Sequence, residues 1–530
     1  MPRRAYREFT RMRATYALLT PFAAAWLACI ALGVLVHAET FRVYDAGTLP
    51  SSRFLNATAY TLAPDAWLQA QRTSWLGLLV ITLFILVVGC AIASWVWAVR
   101  VAQRLAQPFA IWPVLVMTTL LAMPVLAFTG LFSDDVYLYH LYGRTIATHG
   151  GNPLDVPPSG FPHDPHLDWV HWRELRSAYG PVWLMWSSVL SAMAGDSITA
   201  AVIVYRLAGL ATHLLTVLVL WRVLQTTAPR AALAGTIFYG WNPLVLVEVV
   251  GNAHNDAVVA LFAVMAMTAI VHRAWRSSAF FAACAVMVKP FSGLLLVALA
   301  VRMLGLRGTR RLRQGVSAAA IAAITMLVVS LPLWAGTALV ENIADNPASY
   351  IYTNSMWELI SESGPALFNA TTVSLQHPYL DIVRGAIFLI GAGWILSRRS
   401  ARRDAARTAL ALWVLFCLTA SWIWPWYFVP ALALAPLAGA TGWAVGVALT
   451  CSGLLFWIAW PPMDASLSST LHFWRSLVLL GPLLLVATCS PVRRRLASAL
   501  GIATPPETFP AISDTAAVCP SNAPSASAEA

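Results

Sequence analysis

Apolar runs of about 20 residues, the length that crosses a hydrocarbon core, recur along this chain and set its architecture. Candidate spans lie at residues 16–36, 74–98, 111–131, 199–220, 316–334, 382–396, 408–423, 442–460 and 474–487. Two further runs are short and stop at prolines. Residues 231–241 end at Asn242-Pro243, and 278–288 end at Lys289-Pro290. If every run crossed once, His272-Arg273-Ala274-Trp275-Arg276 would fall on the outer side. Two half-depth hairpins with outward tips return that stretch to the cytoplasm, since non-helical backbone is tolerated at membrane depth where it lines a polar cavity. Arg222 and Arg230 fit this scheme poorly. The pattern predicts an all-α polytopic membrane protein of about 11–13 transmembrane helices.

Composition agrees: of 530 residues, 59% are hydrophobic and 11% charged, against roughly 25% charged in an average soluble domain. The net charge of +11 does not imply nucleic acid, because the arginines come in bursts between apolar runs: Arg3 to Arg13, 302–313, 398–407 and 493–495. The positive-inside rule assigns those bursts to the cytoplasm. Loops 38–73 and 335–377 then face outward, and 132–178 follows by parity, although it carries Arg144, Arg173 and Arg176. The chain divides into a basic cytoplasmic N-terminus (1–15), N-terminal helices (16–131), an extracytoplasmic loop with a surface helix (132–178) and a transmembrane core (179–490). A basic cytoplasmic stretch and tail (491–530) follow, with 504–530 rich in Pro, Ala and Ser and expected to be disordered. The first run is long and precedes no small-residue cleavage site, so it reads as a retained span. The seven cysteines are scattered, with no zinc or CxxC spacing.

The chemistry concentrates in a few polar residues within or beside the apolar runs. Asp134 and Asp135 follow the third long run, and an ionisable pair at the mouth of a membrane helix is a functional-site candidate by default. A helix from Asp135 onward puts Asp135, Tyr139 and Tyr142 on one face. Tyr137, His140 and Arg144 lie on a more polar one. Either acid can act as general base if partial burial tunes it, or Asp134 can cap the helix. Lys289, the sole lysine, sits in an apolar setting where a lone cation needs a partner or an anionic ligand; an ammonium suits phosphate. Gly251-Asn252-Ala253-His254-Asn255-Asp256 holds more polar side chains than capping needs, and His254, Asn255 and Asp256 suit sugar hydroxyls. The residues His163, Asp164, His166, Asp168 and His171 have metal-ligand types but match no defined spacing. Interfacial belts account for most of the 24 tryptophans. They crowd in Trp422-Ile423-Trp424-Pro425-Trp426-Tyr427, and a few suit sugar stacking. Asn56-Ala57-Thr58 and Asn369-Ala370-Thr371 fit the glycosylation acceptor pattern by chance.

These features, in order, resemble a GT-C glycosyltransferase, most closely the bacterial α-(1→6)-mannopyranosyltransferases that use polyprenyl-phosphate mannose. The resemblance rests on Asp134 to Tyr139 continuing to Gly151-Asn152-Pro153, on Ala178-Tyr179-Gly180-Pro181-Val182-Trp183, on Asn242-Pro243 with His254-Asn255-Asp256, and on Val288-Lys289-Pro290. It covers residues 110–300. Asp134 departs from it, standing where a basic residue is common. The resemblance implies a GT-C helical bundle in the bacterial cytoplasmic membrane with its active site facing outward. A flipped polyprenyl-phosphate sugar is the donor and a glycan or glycolipid the acceptor. Asp135, or Asp134, is the base of an inverting displacement. Lys289 holds phosphate, and His254, Asn255, Asp256, Tyr139, Tyr142 and Arg144 bind substrate. No cofactor or metal is expected, although some GT-C enzymes need a divalent cation. A transporter or flippase of a lipid-linked sugar would share the broken helices and buried charges, and an envelope scaffold would share the topology.

Overall fold

The computed structural model describes residues 16–33, 75–105, 110–127, 133, 135–170, 172–306, 308–367, 377–459 and 468–501. The N-terminal arginines, loop 38–73, Asp134, His171, both glycosylation tripeptides and the tail from 504 lie outside the described residues. Within them the secondary structure is helical, apart from one isolated bridge between Thr353 and Trp422. The six described cysteines are free thiols.

Three helices lead in: α1 (Tyr16–Gly33), α2 (Trp75–Arg104) and α3 (Ile111–Leu126). After them comes α4 (Asp135–Ala147), the predicted loop helix, and then α5 (Pro181–Ala194) and α6 (Ile198–Thr227). Next are α7 (Ala232–Gly240), α8 (Asp256–Val271), α9 (Trp275–Val286), α10 (Leu294–Met303) and α11 (Gly308–Ser330). Among the described residues, six helices are long and apolar enough to cross a bilayer, and two bent pairs raise that to eight. Six more apolar helices have only 10–17 residues, and the hydropathy count of about 11–13 spans draws on these too. Lipid-facing surface is plain on α11, where Leu312, Val316, Ile324 and Leu327 are exposed; so much exposed apolar surface suits a bilayer and not water. This is an integral membrane protein.

Side-chain contacts show how the core alternates between two ends. Near the start of α6, buried Arg206 donates from Nε to the carbonyl of Gly251 (2.7 Å) and from a terminal nitrogen to that of Leu126 (3.1 Å). The helix then runs about 30 Å to Thr227. The return path is Pro229–Gly240 followed by Pro243–Gly251, bent by only 40° at Asn242. Asn242 caps the second piece, its side-chain oxygen accepting from the backbone N–H groups of Leu244 and Val245. The first of the two expected hairpins is therefore a bent segment that continues through Asn242-Pro243. The helix α8 leads away again to Arg273, and α9 comes back to Lys289. Then Pro290–Gly293 and α10 lead away to Arg302, whose guanidinium lies 5.7 Å from the Trp275 ring. Here the second expected hairpin is real, with Lys289 at its tip. Finally α11 returns, and the carbonyl of Leu333 beyond it accepts from Asn152 (3.3 Å). Arg273 thus shares one end with Arg302, Arg310 and Arg311, and Arg222 and Arg230 sit far from the Arg206 end. The parity difficulty is resolved by the Asn242 segment running through.

The opposite end carries the loops. Asn342, in α12 (Ala338–Asp345), donates to the carbonyls of Leu154 (2.8 Å) and Ser177 (3.0 Å), locking the two loops at this end together.

Candidate active site

A cavity of about 680 Å³ opens at the loop end, lined by Asp135, Tyr142, Tyr179, Lys289, Arg384 and a wall of Trp422, Trp424, Trp426 and Tyr427, among others. Each part is placed by a local break in regular structure. Ser133 starts α4, its Oγ accepting from the Asp135 backbone N–H (3.2 Å). One turn on, the Tyr139 hydroxyl donates to Asp135 Oδ2 (3.1 Å), as the i, i+4 spacing requires. Tyr139 is itself fully buried, edge-on to Tyr179 and Trp183. It positions Asp135 and does not line the cavity. Tyr142 does line it, with its hydroxyl donated to the carbonyl of Leu175 (3.0 Å).

The predicted surface helix is in fact buried on all sides, from Val136 to Thr145. Loop 148–178 and α5 cover its polar face and satisfy it. His140 bonds Ser191 Oγ (3.1 Å) and His166 (3.0 Å). Arg144 donates to Asp164 (2.7 Å) and Asp196 (2.7 Å). Arg144 does not line the cavity; its charge ties the loop down. Burial pulls the Arg144 pKa down, but its bonds to Asp164 and Asp196 outweigh this and raise it. Burial likewise pushes Asp164 up, yet bonds from His149 and Arg144 hold it below the usual carboxylate range. Burial first, then His166 and Arg144, lowers His140 to about 3, so its ring stays neutral. Asp164 and His166 are used up in this network. Among the described residues, no three His, Cys, Asp or Glu side chains gather as a metal site.

Lys289 reaches the cavity because two backbones touch. The Gly180 N–H donates to the carbonyl of Val288 (3.1 Å) and the Val182 N–H to that of Met287 (3.0 Å). A Cβ on Gly180 would stand 2.2 Å from the Met287 oxygen, so only glycine allows this approach. The lone cation has found a protein partner: Lys289 Nζ donates to Asp256 Oδ2 at 2.5 Å, and lies 5.1 Å from the Tyr427 ring centroid. Asp256 is thereby committed, through one oxygen, to Lys289; its Oδ1 has no hydrogen-bond partner. Asn255 is buried with neither amide atom bonded, an unusual cost for a buried polar group.

His254 follows Ala253, a non-glycine residue at φ +57°, a conformation that costs about 1–2 kcal/mol. Before it lies a π-helical turn, Leu246–Gly251, a form concentrated at functional sites. Together they aim the imidazole between two carboxylates. Nε2 is 3.8 Å from Asp135 Oδ2, Nδ1 is 3.0 Å from Glu248 Oε2, and the ring stacks on Trp426 at 4.0 Å. Glu248 is completely buried and also accepts from Asn252 (3.0 Å) and Trp457 (2.6 Å). Sequence reading missed Glu248, although a glutamate inside an apolar run carries the same signal as Lys289. It also missed Arg384, which bonds Asp381 (2.6 Å) on the cavity rim. The Trp422–Tyr427 segment serves the cavity and not an interfacial belt.

The fold and the site describe a membrane-embedded helical enzyme with a carboxylate, two cations and an aromatic wall in one cavity at one end of the bundle. Residues 45–305 match the model of the family described as Alpha-(1->6)-mannopyranosyltransferase, N-terminal domain. Among curated relatives, Alpha-(1->6)-mannopyranosyltransferase A of Mycobacterium tuberculosis is 27% identical over 438 residues, covering 77% of this chain and 82% of the relative. Its counterpart in Corynebacterium glutamicum is 24% identical over 352 residues, 60% of this chain and 70% of the relative. The B enzyme of that species is 28% identical over 148 residues, 26% of this chain and 23% of the relative. Over residues 45–305 the chain is thus similar to the N-terminal domain of this family, and it is a membrane hexosyltransferase of the mannosyltransferase type. The matched segment contains Asp135, Glu248, His254, Asp256 and Lys289.

Proposed function

We propose that this chain moves mannose from a polyprenyl-phosphate donor to a hydroxyl of a glycan or glycolipid, at the outer face of the bacterial cytoplasmic membrane. The observation that carries this reading is that Asp135 is the one carboxylate lining the cavity among the described residues, in company with Lys289, Arg384 and the tryptophan wall. Tyr139 occupies Oδ2 of Asp135, which leaves Oδ1 for the acceptor. The acceptor oxygen attacks the anomeric carbon and its proton passes to Asp135. The bond from that carbon to the phosphate oxygen breaks, with inversion, and polyprenyl phosphate leaves as an anion. Lys289 and Arg384 meet its negative charge, a stabilisation that acts strongly in a water-poor site. This reading assigns the reaction no divalent cation. The sugar ring stacks on the tryptophans, and Asn255 supplies unused amide groups for its hydroxyls. His254, with ring nitrogens 3.0 Å from Glu248 and 3.8 Å from Asp135, stands beside the base. The arginine-rich end of the bundle faces the cytoplasm by the positive-inside rule, which turns the cavity outward.

The test is mannose transfer from labelled polyprenyl-phosphate mannose to an envelope extract, with wild type and Asp135→Asn. The variant should bind donor normally while turnover falls about 10³-fold, the range of a lost general base. Full activity in a well-folded Asp135→Asn protein would end the assignment.

A further inference from the structure

A cavity of about 1750 Å³ lies at the other end of the bundle from the candidate active site. Its lining includes Arg273, Arg302, Arg310, Arg311, Arg399, Arg402 and Arg403 and no aspartate or glutamate. The neighbouring carboxylate, Asp404, is engaged with Arg407 (3.4 Å) and caps the following helix. Among the described residues, Arg310, Arg311, Arg399, Arg402 and Arg403 form no ion pair with a carboxylate. Such a cluster, concave and facing one way, creates a positive potential that calls for an anion.

The rest of the cavity is apolar. Leu296 and Leu299 of α10, with Val316, Ala319, Ala323 and Met326 of α11, form a wall running away from the arginines. From Arg310 to Met326 that wall extends about 24 Å along the helix, most of the way across one leaflet and beyond. A free anion needs the arginines but not the wall. A lipid with a charged headgroup needs both.

We propose that this cleft is a binding site for an anionic glycerophospholipid of the adjacent leaflet. Its phosphate is held by Arg310, Arg311, Arg402 and Arg403, and one acyl chain lies against α10 and α11. The cleft walls include α9 and α10, the arms of the hairpin whose tip is Lys289, so the bound lipid braces the element that carries the site's lysine.

The experiment uses the full-length protein in neutral detergent, with lipid binding followed by native mass spectrometry and by melting temperature. The probes are dioleoylphosphatidylglycerol, dioleoylphosphatidylcholine, a polyprenyl phosphate and inorganic phosphate. Dioleoylphosphatidylglycerol should bind wild type and raise its melting temperature, with phosphatidylcholine and inorganic phosphate doing neither. Each arginine at a charged lipid surface accounts for about a fivefold change in affinity. Arg310→Gln/Arg402→Gln should therefore weaken binding about 25-fold, while melting in phosphatidylcholine stays unchanged. The control is Arg494→Gln/Arg495→Gln, in an arginine burst outside this cleft; it should keep wild-type affinity. Equal weakening in both double variants would mean diffuse surface attraction and would overturn the site. Preference for polyprenyl phosphate that is lost in Arg310→Gln/Arg402→Gln, or competition by inorganic phosphate at equal concentration, would overturn the proposed occupant.

Discussion

Replacing Lys289 by alanine tests the reading of the site most sharply, because it separates a ligand role from an ion-pair role. If Lys289 served only a donor phosphate, the Ala variant would fold normally and bind donor weakly. The structure shows more at stake. Nζ is 2.5 Å from Asp256 Oδ2, and the two side chains are 6% and 0% exposed. Removing the lysine leaves a carboxylate buried without its counter-charge, a change that typically costs about 3–5 kcal/mol. Asp256→Asn, which strands the ammonium, should cost a comparable amount. In Lys289→Ala/Asp256→Asn no net charge is left uncompensated, so the double variant should be more stable than either single one. A coupling of about 2 kcal/mol or more is expected, far above the ~0.5 kcal/mol scatter of independent sites. The assay is thermal unfolding in detergent of all four proteins, with donor affinity measured on each that folds. Additive stability losses would refute the pairing. Recovered stability with donor affinity still lost would show that Lys289 also holds the phosphate.

Other outcomes follow from the same geometry. Glu248→Gln should lower turnover by more than it changes donor affinity, because the imidazole beside Asp135 loses its carboxylate neighbour; unchanged turnover would remove Glu248 from the site. Arg144→Gln should destabilise the first outer loop, seen as faster proteolysis within 148–178, with donor affinity retained in intact protein. Asp164 has a pKa below its unfolded value, so its contribution to stability is complete above the ordinary carboxylate range. That contribution should fade as pH falls through the lowered folded value, and an Asp164→Asn protein should lack this acid limb in its melting profile. Chelation with EDTA should leave transfer unchanged; loss restored by magnesium or manganese would replace Lys289 and Arg384 as the charge on the leaving phosphate.

Much of the membrane architecture was legible because bilayer thickness imposes a length that hydropathy reads directly. The same signal misjudged residues 231–251. A proline after a short apolar run reads as a stop, yet Asn242 caps a second helical piece and the chain bends only 40°. The Asp135, Tyr139 and Tyr142 face was readable because helix geometry fixes it locally. The fate of Arg144 was not, because Asp164 and Asp196 lie 20 and 52 residues away and periodicity shows polarity without showing the partners that satisfy it. Likewise the Lys289–Asp256 pair depends on a contact across 33 residues. Arg384 and the Trp422–Tyr427 wall come from the half of the chain where hydropathy alone was informative; nothing local distinguishes a tryptophan in a cavity from one at an interface.

The site's charges explain why the two ends of a donor would enter in one order. His254 lies 3.8 Å from Asp135 and 3.0 Å from Glu248, while Lys289 is bonded to Asp256. Of these carboxylates only Asp135 lines the cavity, and a phosphate pressed against it would meet a like charge. Sugar hydroxyls would meet acceptors for their protons and the stacked faces of Trp424 and Trp426, 4.9 Å apart. The rim, by contrast, carries Arg384 from a helix whose outer face is apolar, with Ile382, Leu389 and Ile390 exposed. If the donor is lipid-linked, as proposed, its sugar sits beside Asp135 and the tryptophan wall and its phosphate lies between Lys289 and Arg384. The hydrocarbon tail then exits along the lipid-facing helix and never has to cross the polar cavity. A soluble nucleotide sugar would find no use for that apolar exit, whereas a lipid-linked donor needs all three zones in this order.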